Sequence, residues 1–129
     1  MVARPSAGFS LLELLVTLAL VATLAGLASA SYQGYLETAR RNAAEQEAAR
    51  LALALEAHHL HQDSYVTGVW TPNGEQGLAA PPLGWSPADP ERPLRYEVAP
   101  CDGSDLALCY RLTVTRTTSG EVLVERSGP

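Results

Sequence analysis

Between Leu11 and Ala30 the chain sets a single charged residue, Glu13, among Leu, Val, Ala, Thr, Ser and Gly. Counted from Phe9 to Ser31, this run is about 23 residues and about 34 Å long as a helix, enough to cross a bilayer. From Tyr32 to about His61 the composition turns to Ala, Glu, Arg, Gln and Leu, good helix formers with no proline among them. Leu51 and Leu55 fall one turn apart, as do Leu53 and Ala57, while Glu45, Glu47 and Arg50 populate another face. The pattern predicts one helix of about 80 Å, apolar in its first half (9–31) and amphipathic in its second (32–62). The apolar stripe of the second half needs a cover, and a small sheet laid over it supplies one.

Residues 62–64 are expected to end the helix. Ser64–Trp70 is a short β-prone run, and nine Pro and Gly residues between Pro72 and Pro93 punctuate a long connection. Trp85 and Leu83 are expected to anchor that connection to the domain. Three better strands follow: Leu94–Val98, Tyr110–Thr115 with Tyr110, Leu112 and Val114 on one face, and Glu121–Glu125 after a Thr118-Ser119-Gly120 turn. Short links between consecutive strands predict an antiparallel meander with one face on the helix. The class is therefore α+β, divided into a leader at 1–8, the two helix halves, and a small globular sheet domain at 63–129.

The whole chain has 129 residues, which leaves few for a soluble core once the apolar run is set aside. A staple or assembly partners are needed. Cys101 and Cys109 are close in sequence and flank the turn-rich Asp102-Gly103-Ser104-Asp105; such a pair in an exported domain is more often a disulfide than a metal or redox site. The net charge of −5, with all nine basic residues Arg, argues against general phosphate-backbone binding.

Two features set the apolar run apart from an ordinary secretory signal, in which small residues and the cleavage site come after the run. Ala28, Ser29 and Ala30 satisfy that bland reading. Gly8, however, stands before the run, and Glu13 stands five positions beyond Gly8. A carboxylate at membrane depth costs about 2.5–3.5 kcal/mol on insertion scales, so it needs a partner or a task. Were the chain cut after Gly8, Phe9 would carry a positive amine one turn from Glu13, and the first turn of a helix already favours an anion.

Gly8-Phe9-Ser10-Leu11-Leu12-Glu13 resembles the N-terminal motif of type IV prepilins and type II secretion pseudopilins, and Tyr32-x-x-Tyr35 after the apolar run matches the same pattern. Among these families the chain looks most like minor pilins of the PilE/ComP kind. The resemblance implies the type IV pilin fold, cleavage between Gly8 and Phe9 by a prepilin peptidase, N-methylation of Phe9, and pairing of Glu13 with the terminal amine of an adjacent subunit. It also implies the partners: other pilin subunits through helix packing, the inner-membrane assembly platform, and membrane lipid before assembly. The expected location is the bacterial inner membrane as a single-pass protein with its C-terminal domain in the periplasm, then the extracellular pilus. Arg4 favours an inside N-terminus and Arg40–Arg41 oppose it, so the resemblance and the cysteines decide the orientation. Many relatives have Gly within the membrane helix and Pro near its end; Ala22 and Ala30 stand there in this chain, which predicts an unbroken helix.

The function expected is that of a structural, minor subunit of a type IV pilus, serving pilus biogenesis, twitching motility, adhesion or DNA uptake. A pseudopilin of a type II secretion system is the alternative. No catalytic constellation and no cofactor motif is present in the sequence, so the chain reads as the substrate of an enzyme rather than an enzyme. His58, His59 and His61 near Asp63 suit the negative end of a helix dipole better than a metal. Asp102 and Asp105 are too few for calcium. Arg92, Arg95, Arg111 and Arg116 raise DNA as a minor possibility, against the plain reading of scattered Arg on a solvated sheet.

Overall fold

The computed structural model describes residues 8–102 and 108–129. The elements run as one helix, α1 (Leu11–Gln62), and four strands, β1 (Gly68–Trp70), β2 (Leu94–Pro100), β3 (Tyr110–Arg116) and β4 (Val122–Gly128). The chain divides into two compact units, one up to Thr38 and one from Ala39 to Pro129. The first contains the apolar part of α1, which is helical through Ala22, Gly26 and Ala30 as the absence of a breaker predicts. The second contains the rest of α1 and the whole sheet.

In the second unit the sheet order is β1-β2-β3-β4 and every pairing is antiparallel. Alternation along β2 and β3 buries Leu94, Tyr96, Val98, Tyr110, Leu112 and Val114 on one face. Ala44, Ala48, Leu51 and Leu55, spaced by three and four residues on α1, close over that face as one core with Tyr65, Trp70, Leu78 and Trp85. Trp85 is buried and Leu83 packs against the core, so the Pro-rich connection is held where the sequence predicts. Each fully buried Leu here contributes about 1.5–3 kcal/mol. Tyr96 lies at the centre, with Trp85 and Trp70 edge-on to its ring at 5.0 and 5.9 Å.

Four features differ from the sequence expectation. Glu47 lies in the core stripe, not on the polar face with Glu45 and Arg50, and is 7% exposed. Its carboxylate accepts two bonds from Arg50 (2.9 and 3.2 Å) and one from the backbone N–H of Ala88 (3.3 Å), which offsets its burial. Leu53, by contrast, points outward and is exposed.

The β-prone run at 64–70 yields only a three-residue strand, because α1 must first be closed. Asp63 takes a left-handed conformation (φ 53°) and donates its N–H to the His59 carbonyl at 2.8 Å, a helix stop built on Asp rather than Gly. β4 extends three residues beyond expectation and carries a bulge: Thr115 opposes Val122 while Val114 opposes Val124, so Leu123 is extra. The bulge breaks strict alternation, and Leu123 and Val124 are both half-buried. Gly120, at φ 73°, makes the preceding turn and donates to the Arg116 carbonyl.

Candidate processing and assembly site

The chain enters α1 through Gly8, Phe9 and Ser10, which lie outside regular secondary structure and are exposed. Ser10 makes the transition. Its carbonyl accepts from the Leu14 N–H at 3.1 Å, and its hydroxyl oxygen accepts from the Glu13 N–H at 3.2 Å. Ser10-Leu11-Leu12-Glu13 thus has the spacing of a capping box, with Glu13 in the first helical turn. Sequence reasoning singled out Glu13 and passed over Ser10, although the S-x-x-E spacing before an apolar run is itself a start signal. The rest of the leader, Arg4 included, lies outside the described residues.

Beyond the cap, the apolar surface has no cover among the described residues. Phe9, Leu11, Leu12, Leu18, Leu24 and Leu27 are between 64% and 80% exposed. α1 contains a segment long and apolar enough to cross a membrane, with none of that segment buried. Two of its polar side chains are answered by the helix itself: the Thr17 hydroxyl donates to the Glu13 carbonyl at 2.7 Å, and the Thr23 hydroxyl to the Leu20 carbonyl at 2.8 Å. Glu13 is not answered in this way. Among the described residues its carboxylate has no ion-pair partner. Tyr32 and Tyr35 are exposed at 62% and 71%.

The staple that so small a domain needs is in the sheet. Pro100 pairs with Tyr110 at the end of the β2–β3 ladder, so the next residues in register are Cys101 and Cys109. They form a disulfide, with Cα atoms 5.6 Å apart. Asp102 is an ion-pair partner of Arg111 at 3.1 Å, and Asp105 lies outside the described residues.

The remaining candidates have local partners. His58 Nδ1 is 3.0 Å from the Ser64 carbonyl, His61 Nδ1 is 2.8 Å from the Ala57 carbonyl, and His59 stacks on Tyr65. Among the described residues no group of three His, Cys, Asp or Glu side chains is placed to hold a metal. The four arginines weighed for DNA all face carboxylates: Arg92 with Asp89 (3.1 Å), Arg95 with Glu97 (3.0 Å), Arg111 with Asp102 and Glu125, and Arg116 with Glu121 (3.4 Å). Each of the four is thus charge-paired, as scattered arginines on a solvated sheet are.

A long helix, apolar at its start and packed in its second half on an antiparallel sheet, is the general type IV pilin-like fold, and it is the fold of a structural protein. The family model described as the prokaryotic N-terminal methylation motif matches residues 3–29, which contain Gly8, Phe9, Ser10 and Glu13. The motif implicates a prepilin peptidase and assembly at a membrane. No curated protein and no solved structure matches the chain.

Proposed function

We propose that the chain is a structural, minor subunit of a type IV pilus. A prepilin peptidase cuts it between Gly8 and Phe9, Phe9 is methylated, and the subunit enters the filament through α1. Before assembly it is held in the bacterial inner membrane by the apolar part of α1, with the sheet domain in the periplasm; afterwards it is part of the extracellular pilus. It serves that pilus in biogenesis, twitching motility, adhesion or DNA uptake.

The observation that carries this reading is Glu13: a carboxylate without an ion-pair partner among the described residues, in the first turn of an uncovered apolar helix. Cleavage creates the missing cation four residues away at Phe9, and in a filament the amine of a neighbouring subunit supplies it. Coulomb attraction at contact distance in a low-dielectric core is several kcal/mol, enough to offset the cost of burying the carboxylate.

Glu13→Gln keeps size and capping geometry and removes the charge. The variant is expected to be cleaved and methylated yet lost from purified filaments. Equal amounts of variant and wild type in sheared filaments would rule out the pairing. Deleting the gene separates the two assemblies that share this fold: loss of piliation or twitching supports the pilus, and loss of protein secretion assigns the chain to a type II secretion system.

A further inference from the structure

The position at which α1 begins is set by one side chain. Ser10 shows both marks of an N-cap: its carbonyl takes the first intrahelical bond from Leu14, and its hydroxyl oxygen accepts from the N–H of Glu13, the third residue of the helix. Phe9 and Gly8 are left exposed and non-helical. Nothing in Gly8 itself enforces this. A Cβ there would meet no atom within 4 Å.

The residues behind the cap would gain by joining the helix. In an apolar medium each backbone N–H and C=O without a partner is costly, so the ladder tends to propagate backwards unless it is stopped. If it did, the Gly8 carbonyl would accept from the Leu12 N–H and the Gly8–Phe9 peptide would be tied into a helical turn. A peptidase needs that carbonyl free for attack.

We propose that Ser10 is a positioning residue for cleavage of the Gly8–Phe9 bond: its cap stops α1 two residues short of the bond and presents it unpaired. This rests on the processing proposed above. The step is hydrolysis, in which the C–N bond between Gly8 and Phe9 breaks. Water oxygen bonds to the Gly8 carbonyl carbon, and the proton given up goes to the Phe9 nitrogen. The same cap commits the Glu13 backbone to Ser10 while leaving its carboxylate available, so one turn holds both the bond to be cut and the group that receives the product amine.

The test compares full-length wild type, Ser10→Ala and Ser10→Asn with a prepilin peptidase in detergent micelles, following cleavage rate and hydrogen exchange at the Glu13 amide. Asn caps as well as Ser but has no hydroxyl, whereas Ala does not cap. Ser10→Ala is expected to be cut about three- to fivefold more slowly, the scale of one lost cap, with faster exchange at Glu13. Ser10→Asn is expected to restore both. Wild-type cleavage of Ser10→Ala would overturn the proposal. So would slow cleavage of Ser10→Asn with normal exchange, because the peptidase would then be reading the hydroxyl itself. A wild-type precursor left uncut at Gly8–Phe9 would overturn the processing as well, and is distinguishable from both.

Discussion

Glu13 and Glu47 are two carboxylates on one helix with opposite solutions. Glu47 is buried among Ala44, Ala48 and Leu51 and is answered within the chain by Arg50 and the Ala88 N–H. Glu13 is exposed on an apolar helix, and among the described residues its carboxylate has no ion-pair partner. The difference was half legible. An acid inside an unbroken apolar run announces itself, because the membrane makes it expensive. An acid inside an amphipathic helix does not, since polar residues are expected there and the bonding partner lies 41 residues away.

Glu47→Ala is expected to destabilise the sheet domain by about 1–3 kcal/mol, because it leaves the Ala88 N–H without its partner and opens a gap beside Tyr96. Denaturant unfolding followed by Trp85 and Trp70 fluorescence measures it. An unchanged midpoint would show that the pin between α1 and the Pro-rich connection is not structural.

At the scale of elements, α1 was readable throughout, and β2 and β3 were readable because strict alternation fixes a face. β1 and β4 were less so. β1 is shortened by the residues spent closing α1 at Asp63, whose left-handed conformation is not signalled by its residue type in the way a glycine would be. β4 reads Val-Leu-Val, an unalternating run consistent with either face, and the bulge at Leu123 uses that ambiguity.

The cysteine pair was legible as a close pair, and its bonding follows from register, since the β2–β3 ladder sets 101 opposite 109. Cys101→Ser with Cys109→Ser is therefore expected to cost about 2.5 kcal/mol without changing the sheet, the chain-entropy value for so short a loop. Thermal unfolding of the wild type and the double variant, each oxidised and reduced, tests this. A reductant-sensitive midpoint is expected in the wild type alone.

At the scale of the whole molecule, the two compact units have different requirements. Residues 39–129 have a core of their own, whereas in the apolar span of α1 before them none of the described residues is buried. The core of the sheet domain contains three tyrosines, Tyr65, Tyr96 and Tyr110, whose hydroxyl pKa values burial pushes above the ordinary value near 10. Glu47 adds to the shift at Tyr96, and Glu56 at Tyr65 and Tyr110. The folded state holds these protons more tightly than the unfolded chain, so their contribution is complete below about pH 10 and is lost as pH rises from there through the folded values. In a Tyr32→Phe/Tyr35→Phe variant, which removes the two exposed tyrosines and leaves these three, the domain is expected to unfold in alkali with tyrosinate absorbance appearing cooperatively with loss of near-UV circular dichroism. Tyrosine titration well before unfolding would contradict this.

The central claim is that the apolar helix becomes an assembly element only when the chain is cut in front of it, so that Phe9 gains the charge that Glu13 requires. Mass spectrometry and N-terminal sequencing of the mature protein from membranes or filaments test it most directly. The expected result is a chain that begins at N-methylated Phe9 and retains the whole apolar run. A chain that begins after Ala30, as an ordinary secretory signal would leave it, or one that keeps Gly8 uncut in the assembled state, would contradict it.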